Sequence, residues 1–322
     1  MKLVVRALAA AFAIAVSAGA ASAQYPDKPV RLVVPFPPGG PTDVFARVLA
    51  TGLAGQLGQQ VVIENKAGAG GTVGSEMVAK ARPDGYTLLF GTAATHGINV
   101  SLYSSLPYDP LKDFELVALA GLVPMVLLVP PGQPRTLEAL VAKLKAEPGK
   151  WSYASSGNGT TNHLAGELFK KKAGLEVEHV PYRGSAPALQ DLMAGRVAFM
   201  FDSFGTTLEQ IKAGKLHAVA VMADKRSQVM TDVPTTAEAG LADFVGGTWN
   251  VVAAPAGTPR DIVDKLNTAV NKALVDPAVA DRLRQLGIEA VTNSTPASTR
   301  AFVTAEIAKW REVVLLAGAK VD

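Results

Sequence analysis

No cysteine occurs among the 322 residues, which excludes disulfides, thiolate metal sites and cysteine nucleophiles together. Only four histidines are present, His96, His163, His179 and His217, and none stands at the short spacing of a metal-binding pair, so no metal site is expected. Aromatics make up 6% of the chain, and they are not interleaved with a basic run, so no nucleic-acid surface is expected either. The G-x-S-x-G turn of many hydrolases is absent. The glycine loop Gly68 to Gly74 reads G-x-G-G-x-x-G, one residue away from the dinucleotide fingerprint, so no nicotinamide or other cofactor is expected. No apolar run reaches the roughly 20 residues a membrane helix requires.

The N-terminus carries an address. Lys2 and Arg6 precede an unbroken apolar stretch from Ala7 to Val16, followed by Ala21-Ser22-Ala23. This is the pattern of a secretory signal peptide over residues 1–23, cleaved before Gln24. The cleavage region has no cysteine to carry a lipid, so an exported, unanchored chain is expected. Cleavage removes two of the 31 cationic side chains and none of the 28 acidic ones, leaving a net charge of +1. A charged ligand must therefore be held by local groups, because no global field would attract it. About 300 remaining residues exceed what one hydrophobic core usually serves, so two domains are expected.

From Val30 onward, short β-branched runs alternate with longer amphipathic stretches, which predicts an α/β chain built from βαβ units. Val30 to Val34 reads as a strand, and Val44, Phe45, Val48, Leu49 and Leu53 share one face of the helix after it. Strands are expected at Gln60 to Glu64 and Tyr86 to Gly91, and two buried strands within Leu116 to Pro131, which Pro124 interrupts. A second strand–helix series runs from Trp151 to Met222. Trp249 to Ala254 reads as the last strand, with only helices after it, beginning at Pro259 (cap Thr258), Val279 and Pro296 (cap Thr295). A late strand with a helical tail is natural if the chain crosses to a second lobe and returns, with crossings near Leu122–Val126 and Gly246–Val252. The expected architecture is two Rossmann-like lobes joined by two hinge strands. Residues 24–123 with 248–322 form the first lobe and residues 124–247 the second.

In open α/β sheets, ligands bind beyond the carboxyl ends of the strands, where helix N-termini offer unpaired N–H groups. Three turns there are rich in small residues, and each alone is ordinary turn punctuation. The first supplies Phe36, Pro38, Gly39, Gly40 and Thr42, the second Ala69 and Gly70, and the third Ser155, Ser156, Gly157, Gly159, Thr160 and Thr161. Together they can aim backbone N–H groups and hydroxyls at one carboxylate without arginine. Asp202, ending an apolar strand, either accepts a hydrogen bond in the cleft, which implies a ligand with a donor of its own or a bridging water, or caps the next helix or pairs with Arg183. Arg183 either clamps a distal carboxylate or braces its loop, and Ser185 reads as an N-cap. Thr92 is a wall residue, and His96 lies at the surface or behind the wall. Asp43 is structural, since a carboxylate in a first turn is held by the helix dipole. No catalytic residue is expected. The competing enzymatic reading is a secreted hydrolase using Ser156 and His163.

Several ordered stretches resemble a known family: Phe36 to Asp43, Asn65 to Gly71, Pro83 to Leu88, Tyr153 to Leu164, His179 to Leu189, Asp232 to Thr235 and Ala254 to Pro259. They are similar to the Bug family, the TctC-like substrate-binding proteins of tripartite tricarboxylate transporters. The resemblance covers nearly all of the chain after the signal. It implies a type II periplasmic-binding-protein fold that closes on a small organic acid, whether a di- or tricarboxylate, an amino acid or an aromatic carboxylate. The gripping loops would be Phe36 to Thr42 and Ser155 to Thr161, and Asp202 matches the family's cleft aspartate. It also implies a monomer in the periplasm and partnership with membrane permease subunits; a ligand sensor for a membrane signalling protein is the alternative. Two departures are Trp249-Asn250-Val251-Val252 at a crossing and Ala67 where proline is common. Asn250 is there expected to be able to add a polar contact.

Overall fold

The computed structural model describes residues 25–320 apart from 243 and 245; the expected signal peptide lies outside the described residues. β1 (Val30–Val34) runs into α1 (Pro41–Leu57), which starts at a proline and stops at Gly58, φ 67°, whose N–H bonds Ala54. β2 (Val61–Asn65), α2 (Thr72–Ala79) and β3 (Thr87–Thr92) follow, then a short helical segment, Ala94–Leu102. The next elements are β4 (Phe114–Val129), α3 (Leu137–Ala146), β5 (Ser152–Ser155), α4 (Thr161–Ala173), β6 (Glu178–Pro181) and α5 (Ser185–Met193). The chain continues through β7 (Phe199–Ser203), α6 (Phe204–Lys212), β8 (His217–Val221) and β9 (Gly247–Pro255), and ends with α7 (Arg260–Val275), α8 (Pro277–Gln285), β10 (Glu289–Ala290) and α9 (Pro296–Ala317).

The strands are ordered β2-β1-β3-β9-β4-β7-β5-β6, with β8 and β10 also on β4. Parallel sets lie at both ends, β2-β1-β3 and β7-β5-β6, while β9 and β4 run antiparallel in the middle. Residues Phe114 to Pro124 of β4 pair with β9, whereas Met125 to Val129 pair with β7 and β8. Leu116 to Pro131 is thus served by one 16-residue strand and not by the two expected. Pro124 reads as a breaker in sequence because it lacks an N–H donor, but here it sits where the strand exchanges neighbours. Opposite it, a Cβ on Gly247 would lie 2.5 Å from the Val123 carbonyl oxygen, so only glycine fits that register.

Side-chain alternation along the strands feeds a core on each face. Leu88 and Phe90 join Phe45, Leu49 and Leu53 of α1 and Leu266 and Val270 of α7, while Leu89 faces Trp310 and Val314 of α9. In the second series, Leu127 and Val129 meet Leu140 of α3 and Phe169 of α4, and Val126 and Leu128 meet Leu189 of α5 and Phe204 of α6.

Three local expectations change. Thr258 does not cap α7, because its hydroxyl donates to the Pro255 carbonyl at 2.7 Å and the helix begins without a side-chain cap. α8 begins at Pro277, two residues early, because Asp276 accepts from the Ala278 and Val279 N–H groups. The tail is not purely helical, since β10 pairs with Leu122 and Gly121 of β4. Thr295 caps α9 as expected, in a reciprocal box with Ser298.

Candidate functional site

A narrow cleft, with room of about 50 Å³ for water-sized spheres, opens where strand carboxyl ends from both parallel sets meet. The turn after β1 supplies Phe36, Pro37, Gly40, Pro41 and Thr42, and the end of β3 supplies Thr92 and Ala94. The turn after β5 supplies Ser156, Thr160, Thr161 and Asn162; the turn after β6 supplies Gly184 and Ser185, and β7 supplies Asp202. Met125 and Thr248 come from the strand crossing. Phe36, Gly40, Thr42, Thr92, Ser156, Thr160, Thr161 and Asp202 of the expected residues therefore line one space.

Three helices begin at this cleft, and none has a side-chain cap: α1 after Gly40, α4 after Thr160 and α5 after Gly184. Thr136, Asp276 and Thr295 cap three helices that start elsewhere, while α2, α6 and α7 also begin without a side-chain cap, so it is the convergence of three open starts on one space that sets the cleft apart. The first-turn N–H groups of a helix have no intrahelical acceptor and carry the positive end of its dipole. No lysine, arginine or histidine lines the cleft among the described residues. The space offers neutral donors and three positive dipole ends.

The loop tips themselves are differently occupied than expected. Gly39 N–H donates to Asp43 Oδ2 at 2.9 Å, Gly157 N–H to Ser155 Oγ at 3.1 Å and Gly159 N–H to His163 Nδ1 at 3.2 Å. Asn162 Oδ1 gathers Ser156 N–H at 3.2 Å, Ser156 Oγ–H at 3.0 Å and Thr160 Oγ1–H at 2.5 Å. These internal bonds brace the β5–α4 turn, so its loop-tip donors are occupied, and the donors without an intrahelical acceptor are those of the helix first turns just behind them. With Oδ1 committed, the Asn162 amide has its Nδ2 as remaining donor, and Asn162 lines the cleft.

Asp202 is wholly buried. Ser203 N–H donates to its Oδ1 at 2.8 Å, and its Oδ2 has no hydrogen-bond partner. Burial pushes its carboxyl up to about 6, an effect tempered by the Ser203 N–H and the neighbouring Ser185 and Thr206 hydroxyls. Ser185 is accordingly no N-cap: Gly184 holds that position at φ 116° and Ser185 opens the helix beside Asp202. Asp43 is buried and bound by Arg47, Asn65 and the Gly39 N–H, which together outweigh its burial and lower its pKa.

Other expected residues lie off the cleft wall. Pro38, Gly39 and Ala69 are exposed at the rim, and Arg183 is exposed without an ion pair among the described residues. Gly70, φ 61°, abuts the Asn158 carbonyl of the opposing turn, 3.1 Å from where a Cβ would stand. Ser155 is buried behind its loop, bonded to His179 Nε2 at 2.6 Å. Gly157 and Gly159 are braced as described. His96 is not at the surface: it is fully buried, and burial pushes its imidazole down to about 3. Asn250 is buried against Gly91 and does not line the cleft. Trp249 donates to Glu306 at 2.6 Å from within the core. Ser156 and His163 are not coupled, since Ser156 bonds Asn162 and the His163 ring accepts from Gly159 and stacks on His179 at 4.2 Å.

Pro37 and Pro41 fall within the expected Phe36 to Thr42 loop without having been singled out, whereas sequence reading passed over Ala94, Met125, Asn162, Gly184, Ser185 and Thr248 as lining residues. Met125 and Thr248 fall within the expected crossings, which mark them in retrospect. Asn162 had a signal too, as a polar residue in the first turn after a glycine loop.

The model of the tripartite tricarboxylate transporter family receptor matches residues 45–318. The chain belongs to this family. Protein BugT of Bordetella pertussis is 43% identical over 298 residues, 92% of this chain and 91% of that protein. Among solved structures, periplasmic binding protein BugD is 39% identical with a TM-score of 0.88, covering 92% of this chain and 99% of that one. A Rhodopseudomonas palustris protein with adipate, Rpa4515, is 38% identical at TM-score 0.89, covering 92% and 100%. MatC of the same organism, with bound malate, is 38% identical at 0.85, covering 90% and 100%. The receptor family's type II periplasmic-binding-protein fold is the fold of this chain, and the curled mixed sheet about β4 and β9 is its scaffold.

Proposed function

We propose that this chain captures a small organic carboxylate in the cleft and presents it to a tripartite tricarboxylate-type permease in the periplasm, without catalysing a reaction. The carrying observation is the convergence of three uncapped helix N-termini on a space with no cationic wall. Such first-turn amides bind a carboxylate by backbone hydrogen bonds and dipole, with nothing in them to react. The adipate and malate complexes of related receptors support the same ligand class.

In this reading residues 24–123 with 248–322 are one lobe and residues 124–247 the other. The hinge lies where β4 changes partners at Pro124 and β9 begins at Gly247. Closure brings Phe36 to Thr42 toward Ser156 to Asn162, and ligand holds the lobes together. The receptor works as a monomer. A panel of mono-, di- and tricarboxylates tested by thermal shift should contain acids that stabilise by RT ln(1 + [L]/Kd), about 2.7 kcal/mol at a hundredfold excess over Kd. A broad panel that leaves the melting point unmoved contradicts the proposal.

A further inference from the structure

The unpartnered oxygen of Asp202 says more about the ligand than the helix ends do. Asp202 Oδ2 is fully buried, lines the cleft, and has no donor in the structure, while Oδ1 is committed to the Ser203 N–H. A buried acceptor without a partner is costly, and the cost is recovered only when a donor arrives. The Ser185 and Thr206 hydroxyls lie near enough to favour the carboxylate, yet neither reaches hydrogen-bond geometry with Oδ2. The strand register fixes the carboxylate in place, with Asp202 opposite Val126 on one side of β4.

Electrostatics point the same way. With its carboxyl raised only to about 6, Asp202 is mostly ionised at neutral pH and presents an acceptor, not a proton. A bound carboxylate adds a second negative charge to a space lined by no cation. A ligand that carries only carboxylates would leave Oδ2 unpaired and add repulsion. A ligand donor aimed at Oδ2 removes both penalties, and an ammonium also balances the charge.

The geometry points to a carboxylic acid that also carries a hydroxyl or ammonium donor, with the carboxylate on the helix N-termini and the donor on Asp202 Oδ2. This inference rests on the receptor reading above and specifies its substrate class.

The test is calorimetry at pH 7.5 with matched acids of three to six carbons: lactate and alanine against propionate, malate and aspartate against succinate, 2-hydroxyglutarate and glutamate against glutarate, with adipate as a longer donor-free acid. In at least one set the donor-bearing acid should bind ten or more times tighter than its donor-free partner. In Asp202→Asn, Oδ1 keeps the Ser203 bond and the amide NH2 replaces Oδ2, so the preference should shrink at least threefold or reverse, with the melting temperature at neutral pH raised and not lowered. The wild-type preference should also weaken as the pH falls through about 6. Donor-free acids that bind as tightly as their partners, or a preference that Asp202→Asn leaves unchanged, would overturn the inference while leaving the receptor reading in place. Failure of every acid to bind overturns both.

Discussion

Asn162 does two jobs with one amide. Its oxygen collects three donors of the β5–α4 turn, and its nitrogen remains for the cleft. Asn162→Ala strands the Ser156 N–H and hydroxyl, each worth about 1 kcal/mol when its bond is lost, while the single Thr160 hydroxyl proton keeps the Gly157 carbonyl as acceptor. The expected outcome is a melting point lowered by several degrees and ligand affinity lowered at least tenfold, read by thermal shift and calorimetry. Unchanged affinity would remove Asn162 from the site. Two buried titratable groups give the free protein a characteristic pH response. Asp202 ionises less readily folded than unfolded, so its stabilising contribution is present below pH ~4 and lost as the pH rises through about 6, a change of about 3 kcal/mol. His96, held neutral with its imidazole pushed down to about 3, acts oppositely. Its contribution is present above about 6.5 and is lost as the pH falls toward 3. Asp202→Asn should therefore raise the melting point at pH 7 and steepen the loss in acid, whereas His96→Leu should flatten that loss. Parallel stability–pH curves for the variants and the wild type would contradict both assignments.

The helices begin in two ways, three with a side-chain cap and the others without. α9 has its Thr295 box, and Thr295→Ala should cost about 1 kcal/mol without touching ligand binding. α1 begins at Gly40 with φ −83° and ψ 169°, a backbone any residue can adopt, and a Cβ there meets only the Pro37 carbonyl at 3.8 Å. Gly40→Asp should cap α1 and hold or raise stability, yet occupy the amides and add a negative charge at the cleft. Affinity should fall at least tenfold relative to Gly40→Ala, by calorimetry. Equal affinities in the two variants would mean that the α1 terminus holds no ligand. Element boundaries were legible because period-2 and period-3.6 patterns survive in the sequence almost to the residue, as at Val30–Val34 and Thr295. The continuity of β4 was not, since Pro124 carries the same mark whether a strand ends or changes partners. The occupancy of Gly157 and Gly159 was not legible either. It depends on where the Ser155 and His163 side chains fold back, and glycine spacing carries no information about that.

For the whole molecule, two parallel sets of strands meet through one antiparallel pair, and the cleft lies at their junction. Turns from the two sides touch at Gly70 against Asn158 and at Gly184 against Pro37, where a Cβ on Gly184 would lie 3.1 Å from the proline ring. Gly184→Ala combines that contact with a φ of 116° that L-residues rarely adopt. It should lower affinity more than stability, because in the proposed closure these two turns meet around the ligand. Nothing in the sequence alone joins Pro37 to Gly184, because that meeting is set by how the lobes fold over one another. What the residues do disclose is the chemistry of the cleft: hydroxyls, glycines and helix starts, with cations kept away. The most direct test is calorimetry of one bound acid against its primary amide, which has the same shape but no charge and presents N–H donors to N–H donors. A loss of at least a hundredfold, about 2.7 kcal/mol, is the expected result. An amide that binds as tightly as the acid would contradict the account.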